Sequence, residues 1–102
     1  MYVLIENLQI SAEEEGEYLW EMPMYEEYFE DLKSDIADFK NSGSRYGGTS
    51  AAALFLQKFV KSTPWAHIDI AGTSIINKPL RELPKGATGV GVRTIINYIC
   101  NL

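Results

Sequence analysis

The amino-acid sequence predicts an α/β protein that is mostly helical. Four segments repeat apolar residues at the three- and four-residue spacing of an amphipathic helix, and one segment alternates apolar and polar residues as a strand does. Apolar residues make up 46% of the 102 residues and charged residues 23%, which is ordinary for a globular protein. A chain of this length forms at most one domain, with a core near the lower limit of size.

The first two predicted helices occupy residues 2–10 and 24–40. Leu4, Ile5 and Leu8 share one face of the first helix, which is expected to end by the glycine at position 16. No N-cap precedes this helix, so we expect a longer helix that starts outside the chain. The second helix has acidic residues on its water-facing side and the most regular apolar spacing of the chain, carried by Tyr25, Tyr28, Phe29, Leu32, Ile36 and Phe39.

Two further helices are predicted in the second half of the chain. A glycine-rich loop at 41–48 leads into the third helix, for which Thr49 or Ser50 can serve as the N-cap. The fourth begins near the glycines of KGATGVGVRT (85–94), which we interpret as a tight turn rather than a phosphate-binding loop. Helical spacing predicts that the third helix buries Ala52, Phe55, Leu56, Phe59 and Val60, and that the fourth buries Val92, Ile95, Ile96 and Ile99.

The predicted strand is WAHIDIAGT (65–73), with Ala66, Ile68 and Ile70 on one face. A single strand cannot satisfy its own backbone hydrogen-bonding groups. We therefore expect this strand either to pair with the extended segment GEYLWEMPM (16–24) or to join a sheet formed by another chain. The uncapped first helix and this unpaired strand both predict that the chain is part of a larger α/β domain.

The charges are divided unevenly along the chain. Residues 1–38 hold twelve acidic residues and one basic residue, a balance of −11, whereas residues 39–102 have a balance of +6, for a total of −5. Scattered basic residues and an acidic total argue against a nucleic-acid-binding protein. We interpret the acidic residues as solvated helix faces, with attraction between the two halves, or to a partner, as the alternative.

The cysteine count and the distribution of apolar residues indicate a soluble cytoplasmic protein. A single cysteine, Cys100, excludes an internal disulfide and fits a reducing compartment, and we expect its side chain to be a small buried apolar group. No run of about 18 apolar residues is present to span a membrane, and residues 1–10 do not resemble a secretory signal. We therefore expect no membrane partner.

No catalytic or metal centre can be assembled from the residue pattern alone. His67 and Asp69 share a face of the predicted strand, and a catalytic or metal-binding pair is one interpretation. Hydrogen bonding inside a packed domain is the interpretation we favour, because a metal site needs three or four convergent ligands. A dyad of Cys100 with His67 has no support from their spacing.

Five segments are distinctive in their order and spacing: GEYLWEMP (16–23), LKSDIADFKNSG (32–43), GGTSAAALFLQKFV (47–60), WAHIDIAGT (65–73) and KGATGVGVRT (85–94). Together they resemble the C-terminal part of the leucine aminopeptidase, or cytosol aminopeptidase, family. The segments WAHIDIAGT and GATG carry most of the specificity. The resemblance implies that residues 1–102 are a partial catalytic domain, the C-terminal fragment of a three-layer α/β/α metallopeptidase fold.

The resemblance also implies an activity whose catalytic groups lie outside this chain. Members of the family are hydrolases that remove N-terminal residues from peptides with two divalent metal ions, such as zinc or manganese, and they assemble as hexamers. Their metal ligands and catalytic residues lie upstream of the matched region, and the signature Asn-Thr-Asp-Ala-Glu-Gly-Arg-Leu is absent here. We therefore expect no catalytic residue, no metal ligand and no cofactor in this chain alone. We also expect a homo-oligomer, because a fragment with four amphipathic helices and one strand has apolar surface to cover.

In the family, the region that this chain matches contributes to the pocket for the N-terminal side chain of the substrate. By residue matching, the resemblance implies that Ser42, Ala71 and Ser74 line this pocket, with the small Ala71 leaving room for a leucine-sized group. Ser42 and Ser74 differ from the apolar residues of some relatives, so a strict preference for leucine does not follow. The alternative is a non-catalytic module, derived from the peptidase, that self-associates or binds another protein.

Overall fold

A computed structural model describes residues 2–44 and 47–102. Met1, and Arg45 and Tyr46 of the predicted glycine-rich loop, lie outside the described residues. The described part contains four helices and a small two-stranded antiparallel sheet, which confirms the α/β class and the predicted number of helices. No helix among these residues is long and apolar enough to cross a membrane. In chain order the elements are α1 (Tyr2–Glu14), a 3₁₀ helix (Glu26–Leu32), α2 (Gly48–Gln57), β1 (Ile75–Ile76), β2 (Gly86–Ala87) and α3 (Val92–Cys100).

These elements belong to two compact units. The first contains the described residues up to Trp20 together with Ile68–Leu102, so it holds α1, the sheet and α3. The second, Glu21–His67, holds the 3₁₀ helix and α2. The first unit brings together two segments that are far apart in the sequence. Contacts within this unit therefore bring motifs from the two ends of the chain next to each other.

The first unit is built on the contact between α1 and α3. On α1 the buried residues are Leu8, Ser11 and Ala12, of which two are small enough to allow a close approach of the helices. On α3 the buried residue is Thr94, whose side chain is 1% exposed. The Nδ2 amide of Asn97, three residues further along the helix, donates hydrogen bonds of 3.0 Å to Glu14 and Glu15 at the end of α1.

The apolar face predicted for α3 is not the face that this unit buries. The side chain of Thr94 bonds to Glu17 and that of Asn97 bonds to Glu14 and Glu15, so the polar side of α3 is the side turned into the unit. Cys100, also predicted to be buried, is exposed. Spacing identifies the apolar face of a helix but does not identify what covers it, and for this reason the prediction of burial is wrong. The exposed fractions are 56% for Val92, 45% for Ile95, 56% for Ile96 and 58% for Ile99.

The second unit has a core of aliphatic residues from its two helices. Leu32 of the 3₁₀ helix and Leu54 of α2 are 1% and 0% exposed, and Ala51 and Ala53 are buried beside them. A cluster of phenylalanines extends this core, with the ring of Phe39 in edge-on contact with three others at centroid distances of 5.4 to 5.8 Å. These three are Phe29, Phe55 and Phe59.

The helix predicted over residues 24–40 is shorter than its spacing indicates. Only Glu26–Leu32 is helical, as a 3₁₀ helix, and the backbone of Lys33 is already extended. The hydroxyl of Ser34 accepts hydrogen bonds from the backbone N–H groups of Ile36 and Ala37, and this local bonding competes with continued helix. The side chain of Ile36 is consequently 99% exposed instead of buried.

The start and the buried face of α2 also differ from the prediction. The N-cap is Gly47, which is in the left-handed conformation and has no side chain with which to cap the helix. Ser50, expected as a possible N-cap, instead donates its hydroxyl to the carbonyl oxygen of Pro23 at 2.7 Å. Because the Ser50 side chain points into the unit, the buried face of α2 is shifted by about one residue from the predicted face. Ala52 and Leu56 were predicted to be buried, but Ala52 is exposed and Leu56 is 43% exposed.

No strand forms over residues 65–73, where one was predicted, and that this segment joins a sheet formed by another chain stays a prediction. Residues 64–70 carry no strand hydrogen bonding, and 71–73 form a turn. The strand that forms is β1, which pairs with β2 in the register Ile75 to Ala87 and Ile76 to Gly86. The extended segment at 17–25 does not become a strand. A strand requires a partner, and alternation of apolar residues does not reveal where one is available.

The packing of Leu54 predicts a large effect of truncation. We expect Leu54→Ala to lower the free energy of unfolding by about 2–5 kcal/mol, because the Leu54 side chain is fully buried and its removal leaves a cavity. Urea denaturation followed by circular dichroism measures this loss. Leu56→Ala on the same helix is the matched control and should lose less than half as much, since its side chain is already partly in water. Equal losses would contradict the assignment of the core.

Candidate functional site

The turn at residues 70–74 carries two of the three residues predicted to line the substrate pocket, Ala71 and Ser74. The carbonyl oxygen of Ile70 accepts hydrogen bonds from the backbone N–H groups of Thr73 and Ser74, at 3.0 and 2.9 Å. The N–H of Ala71 donates to Oδ1 of Asp69 at 2.9 Å. Ala71 is exposed and Ser74 is half-buried. The backbone at both positions is therefore held in a defined, compact shape.

The segment after β2 supports this turn from outside. The backbone N–H of Thr88 donates to the carbonyl oxygen of Ser74 at 2.9 Å, and its hydroxyl Oγ1 donates to the carbonyl oxygen of Thr73 at 2.7 Å. The backbone bond continues the pairing of β1 with β2 by one residue, and the hydroxyl bond adds a second link to the turn. WAHIDIAGT and KGATGVGVRT, the most specific motifs of the sequence, are thus joined directly at the turn.

The N-terminus of α3 is capped by a residue distant in sequence. Gly91, the N-cap, has a positive φ of 91° that favours glycine, and it has no side chain with which to cap the helix. Glu17 supplies the missing acceptors: Oε2 accepts from the N–H of Gly91 at 3.0 Å, and Oε1 accepts from the N–H and the hydroxyl of Thr94 at 3.0 and 2.9 Å. The segment GEYLWEMP is therefore tied to the segment KGATGVGVRT.

Sequence reasoning did not assign this role to Glu17. A signal was nevertheless present, because α3 begins after a glycine and has no acidic residue in its first turn. The first N–H groups of such a helix require an acceptor from elsewhere in the chain. The glutamates of GEYLWEMP, Glu17 and Glu21, are candidates for that acceptor.

The electrostatic environment favours the ionised form of Glu17. Burial raises the pKa of its carboxyl group, but the hydrogen bonds donated by Thr94 and Gly91 lower it, and the charge of Arg93 lowers it further. The net result is a pKa below the ordinary glutamate value. The carboxylate also lies at the positive end of the α3 dipole, which stabilises negative charge.

Ser42, the third residue predicted to line the pocket, lies in the second unit and is exposed. Its loop is held against the 3₁₀ helix: the N–H of Lys40 donates to the carbonyl oxygen of Leu32 at 2.6 Å, and Ser44 Oγ donates to Asp31 Oδ2 at 2.6 Å. Each of the two loops is ordered within its own unit. That Ser42, Ala71 and Ser74 line one pocket stays a prediction.

The residues described here do not fit a metal centre. No group of three histidine, cysteine, aspartate or glutamate side chains among residues 2–44 and 47–102 is placed to hold a metal ion. His67 is half-buried in the second unit, and Asp69, in the first, accepts the N–H of Ala71.

The contact between Glu17 and the start of α3 predicts that the free energy of unfolding depends on pH. Because the pKa of Glu17 is lowered by folding, its contribution is complete above the ordinary glutamate pKa and is lost as the pH falls through the lower, folded-state value. We expect Glu17→Gln to cost about 1 kcal/mol at pH 7 and less at an acidic pH below the ordinary glutamate pKa. Urea unfolding at the two pH values measures this difference.

Glu13→Gln, at an exposed position of α1, is the control for that experiment and should leave stability nearly unchanged at both pH values. A loss for Glu17→Gln that is equally large at both pH values would contradict a role for its ionised form.

Comparison with known proteins identifies the family. The catalytic-domain profile of the cytosol aminopeptidase family matches residues 2–96. The chain is 56% identical over 96 residues to a probable cytosol aminopeptidase of Geobacter sp. (strain M21), an alignment covering 94% of this chain and 20% of the relative. The chain thus spans about a fifth of the length of the curated relatives it matches.

Solved structures give the same result. A tomato leucine aminopeptidase variant superposes with a TM-score of 0.89 and 38% identity over 100% of this chain and 19% of its own. A bottromycin maturation enzyme in complex with Mn superposes with a TM-score of 0.91 and 38% identity, over 97% of this chain and 22% of its own. Because the family profile matches nearly the whole length of this chain, the chain belongs to the cytosol aminopeptidase family.

Proposed function

We propose that this chain contributes the substrate side-chain pocket to a metal-dependent aminopeptidase, which releases N-terminal amino acids from peptides. The observation that carries the proposal is the braced turn at 70–74, because it holds Ala71 and Ser74, two of the pocket positions matched to the family. Ser42 is the third pocket residue of the proposal. A small residue at position 71 suits a side chain of the size of leucine.

The division of labour within the protein forms the second part of the proposal. The two metal ions, zinc or manganese, and the catalytic groups are supplied by the part of the protein that this chain does not cover. The absence of the family's metal-binding signature from the sequence supports this division. The relative solved with Mn also supports it, since this chain covers only 22% of that protein. We propose that the protein works in the cytoplasm as a homo-oligomer.

A non-catalytic module that self-associates or binds another protein is the second candidate. The observation that favours it is the exposed apolar side of α3, where four branched side chains are each about half in contact with water. Contiguous apolar surface of this kind often marks an interaction site. A strictly monomeric chain in sedimentation velocity would contradict self-association through this side of the helix.

The proposed division of labour predicts no hydrolysis by the 102-residue chain alone. We expect no release of p-nitroaniline from leucine p-nitroanilide, with manganese or zinc added, above the rate with the metal alone. The full-length Geobacter relative serves as the positive control. Turnover by the isolated chain that His67→Ala abolishes would overturn the proposal and would revive an independent site at His67 and Asp69.

The pocket assignment is testable in a chimaera of the Geobacter relative in which the aligned region is replaced by this chain. We expect Ala71→Leu to lower kcat/KM for leucine p-nitroanilide by roughly tenfold or more, because the added side chain fills space that the leucine side chain needs. The kcat/KM for alanine p-nitroanilide should fall less, because the alanine side chain is smaller. Ala52→Leu, at an exposed position of α2, is the size-matched control. An unchanged ratio of the two kcat/KM values would refute the pocket assignment.

A further inference from the structure

We propose that Thr88 is a positioning residue that sets the preference of the pocket for the substrate's N-terminal side chain, acting through the turn at 70–74. This inference rests on the function proposed above, because it takes Ala71 and Ser74 as pocket residues. Thr88 itself is not assigned a contact with the substrate.

The Thr88 hydroxyl is engaged both as donor and as acceptor. Oγ1 donates to the carbonyl oxygen of Thr73 at 2.7 Å and accepts the N–H of Val90 at 3.2 Å. The backbone N–H of the same residue donates to the carbonyl oxygen of Ser74. One residue therefore joins the end of the pocket turn to the segment that leads into α3.

Thr88 is held in place from both directions along the chain. On one side it follows Ala87, which pairs with Ile75 in the sheet. On the other side, Gly91 and the start of α3 are held by the carboxylate of Glu17. A residue fixed at both ends can impose its position on a turn, whereas a residue on a loose loop would move with it.

The hydrogen bonds within the turn and those from Thr88 have different consequences. Bonds from Thr73 and Ser74 to Ile70 fix the shape of the turn, and they persist if the turn moves as a whole. Bonds from Thr88 attach the turn to the sheet, so they decide where Ala71 and Ser74 lie. Loss of the hydroxyl should therefore displace the pocket residues without unfolding the turn.

The test compares Thr88→Val, which keeps the shape of the side chain but removes the hydroxyl, with Thr88→Ser, which keeps the hydroxyl. In the chimaera with the Geobacter relative, we expect Thr88→Val to raise KM for leucine p-nitroanilide by about five- to tenfold. We expect kcat to stay within about twofold and the preference for leucine over alanine to fall. Thr88→Ser should remain close to the parent protein.

A second measurement uses the 102-residue chain itself. Hydrogen exchange read by NMR should show faster exchange at the backbone N–H groups of Thr88 and Val90 in Thr88→Val than in the parent chain or in Thr88→Ser. Both groups take part in the contact that the hydroxyl completes. Equal exchange in all three proteins would overturn the inference.

The kinetic outcomes separate failure of this inference from failure of the proposed function. If Ala71→Leu changes the substrate preference but Thr88→Val leaves KM and preference at parent values, the inference fails and the proposed function stands. A fall in kcat alone, or a Thr88→Ser protein that behaves like Thr88→Val, also overturns it. If Ala71→Leu has no effect on preference, the proposed function fails, and this inference fails with it.

Discussion

The hydrogen bonds accepted by the carboxylate of Glu17 connect the two distant segments of the first unit at the start of α3. They satisfy N–H groups that Gly91 cannot cap, and they join two segments separated by 74 residues. From the start of α3 the restraint passes back to Thr88 and then to the turn at 70–74. The motifs GEYLWEMP, WAHIDIAGT and KGATGVGVRT are separate in the sequence, but these hydrogen bonds connect them in the structure. KGATGVGVRT is the motif that is hydrogen-bonded to each of the other two.

The helices were predictable to the extent that their determinants are local. The spacing of apolar residues placed α1 and α3 nearly correctly, because helical periodicity depends only on neighbours in the chain. It failed over residues 24–40, where the hydroxyl of Ser34 offers the backbone an alternative set of hydrogen bonds. The strand predicted over residues 65–73 does not form, because a strand depends on an available partner more than on its own composition.

The candidate site also has parts that the sequence could predict and parts that it could not. Ser42, Ala71 and Ser74 could be named from the sequence only because the motifs resemble those of a family, and no periodicity identifies them. The bonds that brace the turn could not be named at all, since they arise from residues more than ten positions away. The glycine before α3 is a local signal for the Glu17 contact only, because a glycine N-cap leaves helical N–H groups without a side-chain acceptor.

The exposed side of α3 has an entropic consequence. Val92, Ile95, Ile96 and Ile99 branch at Cβ, and in a helix such side chains have one strongly preferred χ1 rotamer. Their conformational freedom is therefore already restricted while they face water. A surface that covers them would gain the release of water from apolar area while losing little rotamer entropy. This side of the helix is thus rigid before anything packs on it.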